Sequence, residues 1–214
     1  KKHTVAESDL TDITNILDTT HDETAAAIAA IQRHGLRSLL TGTPTTITDI
    51  ADQSGLTIEE STSGADRLIS IGRIELDEDI ITGVAGLTLT PTVHSLRLPE
   101  ADMHTWCALD AIGIPTAFEL TATVTTKCPN CNRELVIDIN GHQAQGPDEA
   151  ALFCPTGPCT NVRSEFCTAT NLFCNPEHLA RWRDRHGDPD GAVLDLEPTA
   201  ELGRQIWAPH TRFA

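Results

Sequence analysis

The placement of cysteine constrains this chain more than any other feature, because all seven cysteines lie in its second half. They are Cys107, Cys128, Cys131, Cys154, Cys159, Cys167 and Cys174. In a reducing compartment, clustered cysteines serve more often as metal ligands or nucleophiles than as disulfides. We therefore expect the chemistry of this 214-residue chain in its second half, and a first half that folds on its hydrophobic pattern alone.

The charge of the chain excludes several classes of partner. Lys and Arg total 15 against 31 Asp and Glu, which gives a formal charge of −16. Because phosphate neutralisation supplies most non-specific affinity for nucleic acid and for anionic membranes, neither is expected as a partner. No apolar run reaches the roughly 18–20 residues of a membrane helix, and no signal peptide opens the printed sequence. The expected location is the cytoplasm.

Residues 1–98 are predicted to form a winged-helix-like N-terminal domain. Apolar residues at helical spacing predict a series of helices, one of which stops at Gly35. A turn at Gly55 between two further helices is typical of a helix-turn-helix, and the strands expected at 73–76 and 80–89 resemble a wing. Such a module usually suggests DNA binding. The charge argues against that function here, since the first 100 residues carry 7 basic and 16 acidic side chains.

Residues 99–214 are predicted to form a catalytic domain in which strands and helices alternate. A helix over 106–114 is expected to end at Pro115. Alternation of apolar and polar residues predicts strands over 118–126 and 134–139. The chain as a whole is therefore expected to be α+β.

The stretch that ends at Asp110 holds the first candidate site. On a helix, Cys107 and Asp110 are i and i+3, so the thiol and the carboxyl share one face. The pair suits a thiol that binds a soft metal and an acid that moves a proton. From this stretch alone, a buried structural cysteine beside an aspartate at a helix end is the simpler interpretation.

Three motifs together resemble the organomercurial (alkylmercury) lyase family. They are Gly86-Leu-Thr-Leu-Thr-Pro-Thr-Val-His94, Trp106-Cys-Ala-Leu-Asp110 with Pro115, and Ser164-Glu-Phe-Cys167 with Phe173. The similarity runs in order from about Ile47 to about Gln205. It implies a winged-helix-like N-terminal region packed on a mixed β-sheet catalytic core.

The resemblance also implies an activity and its residues. Members of that family cleave carbon–mercury bonds by protonolysis, which releases hydrocarbon and Hg(II). The two family cysteines correspond to Cys107 and Cys167, which would bind mercury as thiolates, and the aspartate corresponds to Asp110, which would manage the protons. No organic cofactor is implied. The expected partners are an organomercurial substrate, the Hg(II) product, small thiols that remove it, and a mercuric reductase downstream.

The chemistry of the residues agrees with this expectation. Mercury is soft, so thiolates are its preferred ligands. Two thiolates push electron density towards the metal and make the attached carbon more basic, so that a nearby acid can protonate it. Cys107 and Cys167 are far apart in the sequence, and only the fold can bring their sulfurs together.

A second group of cysteines departs from the family pattern. Lys127-Cys-Pro-Asn-Cys131 and Phe153-Cys-Pro-Thr-Gly-Pro-Cys159 each present two thiols from a proline-containing loop, which is typical of a zinc ribbon. We therefore expect a zinc-ribbon-like insertion in which a structural Zn(II) is held by Cys128, Cys131, Cys154 and Cys159. Unrelated surface thiols, or a redox or mercury-handling pair, are the alternatives.

Two residues outside these groups are assigned ordinary roles. Cys174 is expected to be a buried apolar residue. His178 is expected to be a surface or capping residue rather than a ligand.

Two other functions remain open at this point. A thiol-based metal-binding or metal-sensing protein would use the same cysteines and release nothing. A lyase-like enzyme would act on another organometal or on a sulfur substrate. A simple binder has no use for the acid at Asp110, and this favours the lyase.

Overall fold

The computed structural model describes residues 6–21, 23–99 and 101–211. The helices of this part of the chain are α1 (Glu7–Leu17), α2 (Ala25–Thr41), α3 (Ile47–Ser54), α4 (Ile58–Ser70), α5 (Ala108–Ala117), α6 (Pro176–Arg185) and α7 (Leu196–Thr211). The strands are β1 (Ile74–Asp77), β2 (Ile80–Val84), β3 (Leu87–Thr88), β4 (Ser95–Arg97), β5 (Asp102–Thr105), β6 (Thr121–Lys127), β7 (Glu134–Asn140), β8 (Gln143–Gln145), β9 (Ala151–Pro155), β10 (Asn171–Phe173) and β11 (Gly191–Leu194). A π-helical turn covers Val162–Cys167.

The strands form two antiparallel sheets. The larger has the order β1-β2-β3-β5-β4-β6-β7-β8, and the smaller has the order β10-β9-β11. Every pairing between the described strands is antiparallel, so the expectation of a mixed sheet is wrong. Neighbouring strands such as β6 and β7 are joined by a short turn, whereas parallel neighbours need a long crossover connection. The α+β class is confirmed.

The larger sheet continues across the expected domain boundary between residues 98 and 99. Strand β4 precedes that point and β5 follows it, and the two strands pair with Leu96 opposite Met103. The hydrogen-bonded ladder therefore links the two predicted domains at this position.

Local signals set most helix ends in the first half. Thr46 and Thr57 begin α3 and α4 by accepting a hydrogen bond from the backbone N–H three residues on, and Gly55, with φ of 67°, ends α3. The predicted stop at Gly35 is wrong, because α2 continues to Thr41. A Cβ at Gly35 would lie 2.9 Å from Val84 Cγ1, so glycine is needed there for close packing of α2 on β2.

Helix α5 lies in the core and leads directly from the larger sheet. All of its residues from Ala108 to Thr116 are buried. The predicted stop at Pro115 is also wrong, since the helix includes this proline and ends at Ala117. Helix α5 packs on α7, where a Cβ on Gly113 would lie 2.9 Å from Gly203 Cα. This close approach fixes the position of α5.

Across the described ranges, none of the helices has both the length and the apolar character that are needed to cross a lipid bilayer.

Candidate active site

Three side chains from two distant parts of the sequence meet at the N-terminal end of α5. The sulfurs of Cys107 and Cys167 and a carboxylate oxygen of Asp110 all lie within 4.8 Å of one another. The Cys167 thiol donates to Asp110 Oδ2 over 3.9 Å, and the backbone N–H of Cys107 donates to the same oxygen over 3.0 Å. The fold therefore gathers the two sulfurs and the acid in one place.

Each of these residues is positioned by a defined element. Cys107 is the N-cap of α5 and Asp110 is its third residue, so the helix start holds both on one side. Cys167 ends the π-helical turn, and the N–H of Ala108 donates to the carbonyl of Thr170 over 3.3 Å. This hydrogen bond holds the Cys167 segment against the start of α5.

Gly86 makes room for the carboxyl group. Its φ is +105°, and a Cβ at this position would clash with the side chain of Asp110. The carbonyl of Gly86 also accepts from the N–H of Trp106 over 2.9 Å, which places the chain just before Cys107. Glycine is required here both for its backbone conformation and for the close approach.

Burial controls the protonation of the three groups, whose exposed fractions are 0% for Cys107, 2% for Asp110 and 4% for Cys167. Burial raises the pKa of Cys107 well above its usual value, and the hydrogen bond that its thiol donates to Cys167 raises it further. That hydrogen bond lowers the pKa of Cys167, but burial and the charge of Asp110 leave it raised. Burial also raises the pKa of Asp110 to about 6. At neutral pH both sulfurs are therefore thiols, and the carboxyl group can exchange a proton with either.

Arg73 is a charged neighbour that the sequence did not indicate. It precedes β1, is 2% exposed, and its charge interacts with Asp110, Cys167 and Cys107. Burial lowers the pKa of this guanidinium and the negative charge of Asp110 raises it, but arginine stays cationic in proteins. Its Nε has no hydrogen-bond partner among the described residues. The single signal in the sequence is an arginine within the apolar run Ile71-Gly-Arg-Ile74.

The four cysteines predicted to hold zinc do not come together. Cys154 is fully buried in β9, and burial, together with the negative charge of Asp110, raises the pKa of its thiol. Strand β9 is the central strand of the smaller sheet, so it carries Cys154 into the core. Cys159 is half-buried beside Glu165 and accepts hydrogen bonds from nearby backbone N–H groups.

Cys128 and Cys131 instead lie with Cys174 and His178, and the ligand atoms of these four residues are all within 4.8 Å of one another. The expected role of Cys174 as an ordinary apolar residue is therefore incomplete, and so is that of His178. The sequence did carry a signal, because Cys174 and His178 are four residues apart at the start of a capped helix.

A buried pair of thiols beside a carboxyl group is an arrangement that can hold a soft metal and exchange protons next to it. The family model for alkylmercury lyase matches residues 87–208 of this chain. The chain is 30% identical to an alkylmercury lyase of Staphylococcus epidermidis over 176 residues, which cover 81% of this chain and 79% of that protein. It is 28% identical to an alkylmercury lyase of Bacillus cereus over 172 residues, or 79% of this chain and 77% of that protein.

A solved structure has the same fold. The mercury-bound form of MerB2 matches 96% of this chain and 100% of its own with a TM-score of 0.83 and 18% sequence identity. The chain belongs to the alkylmercury lyase family, the class of enzymes that cleaves carbon–mercury bonds.

Proposed function

We propose that this protein cleaves organomercurials by protonolysis, with Cys107 and Cys167 as the two sulfur ligands of mercury and Asp110 as the proton carrier. The main support is the approach of all three groups to within 4.8 Å. Soft metal–sulfur bonds are a little over ~2.3 Å long, so one metal spans sulfurs that are about 4–5 Å apart. The membership of the alkylmercury lyase family supplies the substrate class.

In the first step, the organomercury cation passes from a small thiolate to the sulfur of Cys107. A sulfur–mercury bond forms at Cys107, the bond to the small thiolate breaks, and the Cys107 proton leaves on the small thiol. Because Cys107 is the N-cap of α5, the positive end of the helix dipole stabilises the thiolate that develops there.

In the second step, the sulfur of Cys167 binds the same mercury as its proton moves to Asp110. The hydrogen bond from this thiol to Asp110 Oδ2 already follows that path. The protonated Asp110 then delivers the proton to the carbon. The electron pair of the carbon–mercury bond forms the new carbon–hydrogen bond, hydrocarbon leaves, and Hg(II) stays on two thiolates. No oxidation or reduction occurs.

The pKa of Asp110, about 6, suits both halves of this transfer. A carboxyl group with a pKa near the working pH can accept a proton from a thiol and give it up again. A fully solvated aspartate would stay ionised and would deliver the proton less readily.

The experiment is an assay for hydrocarbon released from an aryl- or alkylmercury compound in the presence of a small thiol. We expect Cys107→Ser and Cys167→Ser each to abolish turnover. Asp110→Asn should bind the organomercurial but turn over at least ~10²-fold more slowly, since it lacks the proton carrier.

Cys159→Ser, which alters a thiol outside the group, is the matched control and should keep activity. Full turnover by Cys167→Ser would contradict the two-thiolate mechanism, and binding without hydrocarbon release by the unaltered protein would identify a metal-binding protein instead.

Product release requires further partners. Hg(II) on two buried thiolates would leave by exchange with small thiols, which pass it to a mercuric reductase. A reducing cytoplasm supplies those thiols and keeps Cys107 and Cys167 from forming a disulfide.

A further inference from the structure

A second group of metal-ligand side chains lies outside the candidate active site. Cys131 Sγ is 3.6 Å from Cys174 Sγ, and Cys128 Sγ is 3.7 Å from His178 Nδ1. Cys174 Sγ is 2.9 Å from the same His178 nitrogen. Three sulfurs and one imidazole nitrogen thus surround a common centre.

These distances are close to the edges of a tetrahedral zinc site. Zinc–sulfur bonds of about 2.3 Å and zinc–nitrogen bonds of about 2.0–2.1 Å place neighbouring ligand atoms roughly 3.5–3.8 Å apart. The Cys131–Cys174 and Cys128–His178 distances fall in that range. The shorter Cys174–His178 contact reaches it when the imidazole moves by less than about 1 Å.

Two short loops present the four ligands. Cys128 and Cys131 lie in the turn between β6 and β7, where the N–H groups of Asn130, Cys131 and Cys174 donate to the Cys128 sulfur. Such backbone donors stabilise a thiolate ligand and fix its direction.

The other two ligands come from the segment that follows β10 of the smaller sheet. Cys174 follows β10, and His178 lies in the first turn of α6, where Asn175 accepts from its N–H over 2.8 Å. The spacing Cys-x-x-Cys is that of structural zinc sites, and three residues separate Cys174 from His178.

We propose that Cys128, Cys131, Cys174 and His178 bind one structural Zn(II), which fastens the β6–β7 turn to the segment between β10 and α6. This ligand set replaces the four-cysteine set expected from the sequence. A complete set of four protein ligands leaves no open position, as in structural rather than catalytic zinc sites. The proposal is independent of the proposed lyase mechanism.

The location of this site indicates a structural role for the zinc. Strand β10 begins four residues after Cys167, so the site anchors the segment that carries an active-site sulfur. Arg185 of α6 also donates to Asn130 Oδ1 over 2.5 Å, a second contact between the same two regions. Zinc would in addition occupy the exposed thiol of Cys131 and the buried thiols of Cys128 and Cys174, and keep them from competing for mercury.

The test is the metal content of the full-length protein purified without chelator, measured by elemental analysis and by native mass spectrometry. We expect one zinc per chain in the unaltered protein and its loss in Cys131→Ser and in His178→Ala. His178→Cys should retain zinc, because a fourth thiolate can take the place of the imidazole. Cys159→Ser, the matched control, should also retain one zinc per chain.

Cobalt provides a second readout that does not depend on how stable the variants are. Co(II) added to metal-free unaltered protein should give the visible absorption of tetrahedral thiolate coordination, and Cys159→Ser should give the same spectrum. Absence of zinc from the unaltered protein would overturn the proposal, and so would equal loss of zinc in Cys159→Ser. Finding that the group takes up Hg(II) during turnover while it holds no zinc would make it a mercury relay and would also overturn the proposal.

Discussion

At the scale of single residues, the site depends on a balance of charges around Asp110. Burial raises the pKa of this carboxyl group, while hydrogen bonds from Cys107 and the positive charge of Arg73 lower it. The outcome, a pKa of about 6, places the group where it can both take and give a proton. Arg73 is thus a positioning residue for the charge of Asp110, and it does not carry the reaction itself.

Replacing Arg73 tests this balance. In Arg73→Met the positive charge is lost, so the carboxylate of Asp110 is less stable and its pKa rises above about 6. Because the carboxylate must accept the proton of Cys167, the acidic limb of the profile of kcat/KM against pH should move to higher pH. Arg73→Lys, which keeps the charge, should leave the limb closer to its original position. An unchanged limb in Arg73→Met would show that Arg73 has no influence on the proton carrier.

Some of these residues can be identified from local spacing in the sequence. Others cannot, because they reach the site only through tertiary contacts. Cys107 and Asp110 are i and i+3 on one helix, so local periodicity is enough to pair them. Cys167 joins them through tertiary packing, and the family resemblance identified it. Arg73 reaches the site from the edge of a helix–strand junction, and no local spacing marks such a long-range charge contact.

At the scale of elements, the position of α5 depends on two glycines. Gly113 of α5 and Gly203 of α7 let the two backbones meet without side chains between them. This contact holds the helix whose N-terminus carries Cys107 and Asp110. Because the connection between β5 and α5 is short, the N-terminus of α5 also has a fixed position relative to the larger sheet.

Gly203→Ala tests the contact. In an exposed helix this change would stabilise the protein by about 1 kcal/mol. Here the new methyl group would meet Gly113, so we expect overpacking to lower the free energy of unfolding by about 1–3 kcal/mol. Urea unfolding measures the effect. Ala208→Ser, at an exposed position of α7, is the control and should change stability by less than about 0.5 kcal/mol. A more stable Gly203→Ala protein would contradict the close approach.

A buried histidine joins two parts of the larger sheet. His94, just before β4, contacts Thr126 Oγ1 of β6 through Nδ1 at 2.8 Å. Burial lowers the pKa of His94 from 6.5 to about 4. Between these values the unfolded chain binds a proton at this position that the folded chain does not bind, so the contribution of His94 to stability falls as the pH falls.

The variant His94→Gln should therefore have a different pH dependence. Between about pH 4.5 and 6, the unfolding free energy of the unaltered protein should fall more steeply with decreasing pH, by about 1 kcal/mol per pH unit relative to the variant. Chemical unfolding across this range gives the two slopes. Equal slopes would mean that His94 titrates at the same pH in the folded and unfolded chain.

The predicted elements show where local signals suffice. The turn at Gly55 between α3 and α4 and the alternating strand at β7 follow from short patterns in the sequence. Gly35 and Pro115 each predict a helix stop, but the packing of α2 on β2 and the burial of α5 carry both helices past these residues. Sequence proximity groups Cys128 and Cys131 with Cys154 and Cys159, but the smaller sheet separates Cys154 from Cys131 and brings Cys174 near instead.

At the scale of the whole molecule, the formal charge of −16 dominates the electrostatics. Like charges on the surface repel one another in the compact state and destabilise it. Salt screens this repulsion, since the Debye length falls from about 10 Å at 0.1 M to about 3 Å at 1 M.

We therefore expect the Tm of the protein to rise by several degrees as NaCl increases over that range. Differential scanning calorimetry measures this change. A Tm that is constant or falls with NaCl would show that surface repulsion does not limit the stability of this fold.

The joint action of two thiols and one acid is tested by a single turnover with one equivalent of phenylmercury, added as its adduct with a small thiol and with no further thiol. With two sulfurs and one acid in the site, the unaltered protein should release one equivalent of benzene and retain Hg(II). Cys167→Ser should hold phenylmercury on Cys107 and release no benzene over the same time, while Cys159→Ser behaves like the unaltered protein. Release of a full equivalent of benzene by Cys167→Ser would contradict the account.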